Sequence, residues 1–200
     1  MMLPTHTLMG LAMAVPLVVV APDHATAALV GALVGSTLPD LDMYAGHRRS
    51  LHYPTGYVLA AVPAVAGAIL LRTPLLVALG FAFVGAAVHC RMDRYGGGLE
   101  LRPWEGTSER AVYDHVEGRW LAPKRLIRYD GAPEDVLVLL LLAIPLLVLL
   151  EGLLWWVVVA AVAIGCVYGL LRRRLAALAP VLVKKVPEPV TAYVPERYRP

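Results

Sequence analysis

A run of 20 residues from Gly152 to Leu171 contains no charged side chain. About 20 consecutive apolar residues form an α-helix long enough to cross the hydrocarbon core of a bilayer. The whole chain of 200 residues is 58% hydrophobic and only 16% charged, whereas globular chains are about 25% charged. These features exclude an ordinary soluble domain, a disordered chain and a disulfide scaffold, and they predict an integral membrane protein.

The hydrophobic segments predict an all-α, polytopic fold with about six transmembrane helices. They lie at about 7–22, 25–38, 56–71, 74–89, 136–150 and 152–171. The first five are short for spanning helices, so we expect their ends to extend through flanking polar residues. Gly31 and Gly35 in the second segment have the spacing that lets helix backbones approach closely, although general richness in small residues explains them equally well.

The distribution of Lys and Arg predicts the orientation. If the connections alternate between the two sides, one side receives 17 of the 18 basic residues and the other receives only Arg72. Cytoplasmic segments are the ones enriched in Lys and Arg. We therefore predict a multi-pass protein of the cell membrane with both termini in the cytoplasm.

The chain divides into four predicted regions. Residues 1–104 form a membrane region with helices 1–4, and residues 105–135 form a cytoplasmic loop with a short amphipathic helix from Thr107 to about Trp120. Residues 136–172 supply helices 5 and 6. Residues 173–200 form a cytoplasmic tail, which we expect to be irregular after Pro180 because prolines are frequent there.

Three separate segments bring histidine and aspartate to the same predicted membrane face. They are the start of the first span, the end of the second span with the following loop, and the end of the fourth span. Taken singly, each residue also fits an interfacial or helix-end position, but ionisable residues at span ends indicate a functional site. The residues predicted to meet there are His6, Asp40, Asp42, His47, Arg48, His52, His89 and Asp93.

The spacing of these residues suits a metal site at the cytoplasmic ends of helices 1, 2 and 4. His89 and Asp93 are four residues apart and share a helix face. Imidazole with carboxylate suits zinc, manganese or iron better than calcium or magnesium. We predict one or two divalent transition-metal ions, zinc first, held by His6, Asp40, His47, His52, His89 and Asp93. Asp42 and Arg48 are the predicted catalytic residues, although either Asp40 or Asp42 fits the role of base.

The order of these motifs resembles that of a known family. The motifs are Thr5-His6-x-x-x-Gly10, Gly31-x-x-x-Gly35-x-x-Leu38-Pro39-Asp40-x-Asp42, His47-Arg48-x-x-x-His52 and His89-x-x-x-Asp93. Over residues 5–104 they resemble the YdjM-like family of inner-membrane metal-dependent hydrolases, except that Arg49 and Leu51 replace an expected glycine and threonine. The metal centre of zinc-dependent phospholipase C is more distantly similar. The resemblance implies hydrolase activity without naming a substrate.

The function predicted from the sequence is therefore a membrane-embedded metal-dependent hydrolase at the cytoplasmic face. A metal ion can activate water, and Arg48 can hold a phosphate oxygen, so a phosphoester or phospholipid headgroup is the expected substrate. Membrane lipid is the expected partner, and no nucleic-acid motif is present. The alternatives are a non-catalytic membrane protein with a structural metal site, or a carrier, although the span middles lack the ionisable residues that carriers use.

Overall fold

The computed structural model describes residues 1–191, 194 and 198, and its regular structure is almost entirely helical. Most helices begin at or next to a proline, which suits a first turn because its missing N–H would have no partner there. A 3-10 segment, Leu38–Tyr44, follows the third helix, and another covers Pro103–Glu105. The helices are α1 (Leu3–Ala14), α2 (Pro16–Val20), α3 (Pro22–Thr37), α4 (Pro54–Leu71), α5 (Pro74–Tyr95), α6 (Pro133–Leu149), α7 (Gly152–Val183) and α8 (Glu188–Thr191).

Four helical stretches among the described residues are long and apolar enough to cross a membrane. They are Leu3–Val20 (α1 with α2), Pro54–Leu71, Pro74–Tyr95 and Gly152–Val183. Their outer faces expose large apolar side chains, with Leu170 82% exposed, which suits a lipid environment rather than water. The second and fifth predicted spans are present as α3 and α6, with 16 and 17 residues. A membrane protein is therefore supported, and the number six stays a prediction.

The glycine pair of α3 packs directly on α5. A Cβ atom at Gly31 would overlap the backbone of Ala78, and one at Gly35 would overlap the backbone of Ala82. The close-packing interpretation of these glycines is thus confirmed. Because both contacts advance by four residues in the same direction, α3 and α5 run parallel. Their C-terminal ends consequently lie side by side, which places Asp40 next to the last turns of α5.

Five helix ends meet at one end of the bundle, which we call the polar end: the starts of α1, α4 and α6 and the ends of α3 and α5. Thr5 at the start of α1 donates a hydrogen bond to Asp135 at the start of α6 over 2.8 Å. His6 Nε2 lies 3.1 Å from Asp93 Oδ1 near the end of α5. His52, just before α4, also contacts Asp93 at 3.2 Å. The prediction that distant segments converge is confirmed, while the membrane side on which they lie stays a prediction.

The predicted amphipathic helix between Thr107 and Trp120 is wrong. This segment forms a β-hairpin, with β1 (Val112–Asp114) antiparallel to β2 (Arg119–Leu121). The intervening turn is stabilised because Asp114 Oδ1 accepts hydrogen bonds from the backbone N–H groups of residues 116 and 117. Gly118 adopts φ +65°, a conformation that favours glycine. Turn chemistry and the β-branched and aromatic strand residues outweigh the capping signal at Thr107.

The helix of the last apolar segment continues past the predicted boundary at residue 173. Helix α7 extends without interruption to Val183 and includes Pro180, so the chain is not irregular directly after Pro180, while the point at which the span leaves the membrane stays a prediction. The Arg172 guanidinium in this helix is buried and pairs with Asp130 at 3.1 Å. Beyond α8, the tail prediction falls largely on residues 192, 193, 195–197, 199 and 200, which lie outside the described residues.

Candidate metal centre

Two helix ends and one loop supply the polar side chains of the site. Helix α5 presents His89 and Asp93 one turn apart on the face that packs against α1 and α3. The 3-10 segment that follows α3 carries Asp40 and Asp42. The loop after it returns His52 to the same place immediately before α4. Parallel packing of α3 and α5 therefore brings together residues that are more than 40 positions apart.

Four of these side chains form a compact group that could hold a metal ion. One ligand atom from each of Asp40, His52, His89 and Asp93 lies within 4.8 Å of every other. His89 Nε2 is 3.4 Å from Asp40 Oδ1 and 3.5 Å from Asp93 Oδ2. The side chains of His52, His89 and Asp93 are at most 1% exposed, whereas that of Asp40 is 10% exposed. The group is thus almost closed, and Asp40 lies on its more accessible side.

The two histidines of the group are oriented by partners outside it. His89 Nδ1 donates to the backbone carbonyl of Ser36 over 2.7 Å, which turns its Nε2 toward the group. This buried Nε2 makes no hydrogen bond of good geometry with a described residue, and its contacts there are the approaches of 3.4 and 3.5 Å to Asp40 and Asp93. His52 Nδ1 lies 2.9 Å from Asp42 Oδ2. Such contacts fix the ring orientation of metal-binding histidines in proteins.

Asp42 accepts hydrogen bonds rather than facing the group. Its two oxygens take the backbone N–H groups of residues 48, 49 and 51 at 3.1–3.2 Å. They also contact His47 Nδ1 at 3.1 Å and His52 Nδ1 at 2.9 Å. Burial raises the pKa of Asp42, but the hydrogen bonds from His47 and His52 outweigh it and hold the pKa well below its usual value. These surroundings fit a residue that positions His52, and they do not support the predicted role of Asp42 as base.

The other groups outside the helical spans have shifted pKa values for similar reasons. Burial opposes ionisation of Asp40, but contact with His89 lowers its pKa below the usual value. Burial also disfavours the charged form of His52, yet hydrogen bonds to Asp42 and Asp93 raise its pKa. Asp40 is consequently ionised at neutral pH, as a metal-binding carboxylate must be.

His6 and His47, which the sequence also predicts as metal ligands, lie beside the four-residue group. The His6 ring stacks on His89 with centroids 3.8 Å apart, and its Nε2 contacts Asp93. Its buried Nδ1 has no hydrogen-bond partner among the described residues. His47 is half-buried, with Nδ1 3.1 Å from Asp42 and 4.0 Å from Asp40. The structure thus brings all six predicted ligands to one place and gathers four of them tightly.

Arg48 points into the protein. Its guanidinium donates to the carbonyl of Gly97 over 2.9 Å and lies 3.3 Å from Asp93 Oδ1. The residue is buried, with φ +59°. Asp93 Oδ1 also lies 2.8 Å from the amino group of Met1. Arg48 therefore offsets the charge of Asp93, and these contacts leave the predicted phosphate clamp without support.

The β-hairpin holds the loop that carries His47 and His52, a contribution the sequence did not reveal. The Tyr113 N–H donates to the carbonyl of Arg48 over 3.0 Å. His115 Nε2 donates to the carbonyl of Arg49 over 2.7 Å, and its ring stacks on Tyr53 with centroids 4.3 Å apart. The sequence signal for this contact was the concentration of aromatic residues in the hairpin segment, but it did not show which part of the chain they contact.

The donor set fits a divalent transition metal. Two imidazoles and two carboxylates are a ligand combination that zinc, manganese and iron accept. The unpartnered Nε2 of His89 supports such an ion because a buried ring nitrogen without a hydrogen bond carries a desolvation cost that a ligand removes. No protein-family model, curated protein or solved structure matches the chain.

Proposed function

We propose that the chain is a membrane-embedded, metal-dependent hydrolase that cleaves a phosphoester. The observation that carries this proposal is the buried group of Asp40, His52, His89 and Asp93, in which His89 Nε2 lies between the two carboxylates without a hydrogen bond of good geometry. The resemblance of the motifs to the YdjM-like hydrolases supports the same activity. Zinc is the first candidate ion, and manganese or iron are the alternatives.

The structure changes the roles that we assign within this proposal. Asp40, His52, His89 and Asp93 hold the ion, which when bound lowers the pKa of water and polarises a phosphoryl oxygen. Asp40 is the accessible carboxylate of the group, so the attacking water would enter on its side. Asp42 orients His52, and Arg48 holds Asp93. A substrate reaches the group from the side of Asp40 and the neighbouring His47, which are both partly exposed.

A structural metal site is the second candidate, and burial favours it. His52, His89 and Asp93 are at most 1% exposed, and their segments come from separate parts of the chain. An ion held there would join helix ends whether or not it also reacted with a substrate. A catalytic ion differs by keeping one coordination position open for water or substrate.

Hydrolysis by the metal-loaded protein tests the proposal. The detergent-purified protein would be stripped with a chelator, reloaded with zinc or manganese, and assayed against a generic phosphodiester and a panel of glycerophospholipids. We expect release that depends on the metal and is lost in Asp40→Asn. The matched control is Asp130→Asn, which removes a carboxylate that pairs with Arg172 away from the group. If the fully metal-loaded protein hydrolyses none of these compounds, the metal has a structural role and the proposed catalysis is wrong.

A further inference from the structure

An open groove of about 480 Å³ lies at the polar end, next to the metal group but separate from it. We call it the arginine groove. Its walls are the start of α4 (Pro54, Val58), the end of α5 (Ala87, Arg91, Arg94) and the β-hairpin, including Asp114. His89 and Asp93 are not among its lining residues. Because successive residues of a helix are rotated by about 100°, α5 presents different faces to the metal group and to the groove.

Two arginines give the groove an unbalanced positive charge. Among the described residues, neither Arg91 nor Arg94 pairs with a carboxylate, and the buried Arg94 Nε atom has no hydrogen-bond partner. Arg91 contacts the ring of Tyr95, with 5.6 Å between its guanidinium carbon and the ring centroid. Guanidinium groups that lack a carboxylate partner favour an anionic ligand, above all a phosphate.

The two carboxylates that line the groove are already engaged. Asp114 accepts a hydrogen bond from Thr55 Oγ1 over 2.5 Å and two more from backbone N–H groups of its own turn. The hydrogen bonds of Asp114 lower its pKa against the opposing effect of burial. Glu117 pairs with Arg119 of the same hairpin. Glu117 is thus neutralised by Arg119, whereas Asp114 stays ionised and offsets one of the two arginines, so the groove keeps a net positive charge.

An apolar wall continues from the arginines along the two helices. Helix α4 contains no charged residue, and α5 has none before Arg91. Val58 is 51% exposed and Val62, one turn further, is 66% exposed. Both helices are long and apolar enough to cross a membrane, so the arginines lie where the apolar stretch ends. Arginines at that level face the lipid headgroups.

We infer that the arginine groove binds one anionic phospholipid. Arg91 and Arg94 hold its phosphate, and one acyl chain lies along the apolar wall beside Val58 and Ala87. A free phosphate would use only the charged half of the groove, whereas an anionic amphiphile uses both halves. This lipid site does not depend on hydrolysis at the metal group.

Native mass spectrometry of protein released from detergent tests the inference with two lipids that share acyl chains. We expect the wild-type protein to retain one phosphatidylglycerol and to bind phosphatidylcholine more weakly. The double variant Arg91→Gln/Arg94→Gln should bind phosphatidylglycerol about 30-fold more weakly, since each of the two basic residues near anionic lipid contributes about 1 kcal/mol. Ala87→Phe keeps both charges and should block binding by filling the apolar half.

Two controls separate the site from general charge effects and from misfolding. Arg102→Gln/Arg128→Gln removes two exposed arginines that pair with Glu105 and Glu134, residues that do not line the groove, and it should leave lipid binding unchanged. Metal content and a monodisperse elution profile identify folded variants, so a failed lipid site is distinguished from a failed metal site.

Three results would overturn the inference, and two of them need only the wild-type protein. Equal retention of phosphatidylcholine would show that charge is not recognised. Complete displacement of lipid by glycerol 3-phosphate would indicate a free-anion site. Unchanged phosphatidylglycerol binding in the folded Arg91→Gln/Arg94→Gln variant would remove the two arginines from the site.

Discussion

Asp93 and Asp135 are both buried at the polar end, and their surroundings differ in one respect. Asp135 is fully buried and accepts three hydrogen bonds, from Thr5 Oγ1 and from the backbone N–H groups of Met2 and Gly131 at 2.8–3.0 Å. Asp93 is 1% exposed and faces imidazoles and a guanidinium. Each donor to Asp135 makes a hydrogen bond with it, whereas His89 Nε2 beside Asp93 makes no hydrogen bond of good geometry with a described residue.

This difference separates a structural polar contact from a candidate site. Buried polar groups in proteins are almost always hydrogen-bonded, and the Asp135 contact follows that rule. The group around Asp93 instead gathers two carboxylates and several ring nitrogens, and His89 Nε2 lies 3.4–3.5 Å from both carboxylates without a hydrogen bond of good geometry. Burial alone therefore does not identify the site. Several ligand atoms that face one another with incomplete hydrogen bonding do.

Asp93→Asn should have the largest effect on metal binding. Asp93 is a ligand in our account, so we expect its metal affinity to fall by more than about 100-fold, beyond the range found for residues that only orient ligands. Titration against a chromophoric chelator measures this affinity. A folded Asp93→Asn protein with wild-type affinity would remove the distinction between the two aspartates.

Asp42→Asn should have an intermediate effect. This change weakens the contacts that fix His52 and the loop but leaves all four ligands in place, so the expected loss of metal affinity is about 10–100-fold. The same chelator titration measures it. An effect as large as that of Asp93→Asn would make Asp42 a ligand, and no effect would remove its positioning role.

Metal affinity should weaken as the pH falls, because protons compete with the ion for His52. Hydrogen bonds to Asp42 and Asp93 raise the pKa of His52 above 6.5, so the weakening should begin above that pH. One competing proton corresponds to about tenfold per pH unit below the pKa. In Asp42→Asn the onset should move to lower pH. Affinities measured between pH 5 and 9 that stay constant would contradict this contribution of His52.

Asp135→Asn should destabilise the protein without changing its metal affinity. The side-chain amide of the new asparagine places an N–H donor opposite N–H and O–H groups that now donate to Asp135. This mismatch lowers the free energy of unfolding by about 1–3 kcal/mol. We expect a lower Tm in detergent by thermal unfolding, with wild-type metal content in the folded fraction. Loss of metal at unchanged Tm would show that Asp135 belongs to the site after all.

His115→Ala should have the smallest effect. It removes one hydrogen bond to Arg49 and one ring contact with Tyr53 at the surface of the site loop. We expect metal affinity to change by less than about threefold, since an exposed hydrogen bond contributes at the low end of the usual range, about 0.5 kcal/mol, and this one does not involve a ligand. Val116→Ala, an exposed change in the same turn, is the control. A loss approaching that of Asp42→Asn would make the hairpin essential for loop geometry.

The sequence predicted the convergence of the polar segments because ionisable residues are rare near apolar spans. His6, Asp40, His52, His89 and Asp93 were identified for that reason, and the glycine pair of α3 suited close packing of that helix without indicating its partner. Periodicity and charge placement are local signals, so they are readable in one chain.

The roles of the individual residues were not readable because they depend on contacts between segments. The direction of the Arg48 guanidinium is set by Gly97 and Asp93, and that of His89 by the carbonyl of Ser36. The hairpin was missed because its strands have only three residues each and its docking partner is the site loop. Short strands give too little alternation to compete with a helix-capping signal.

Elemental analysis of the detergent-purified protein tests the central claim most directly, with the wild type compared with His89→Ala and Asp135→Asn. We predict one or two equivalents of a transition metal in the wild type and in Asp135→Asn, and less than about a tenth of that amount in folded His89→Ala. Equal metal content in all three proteins, or a metal-free wild type that takes up no zinc, manganese or iron, would contradict the account.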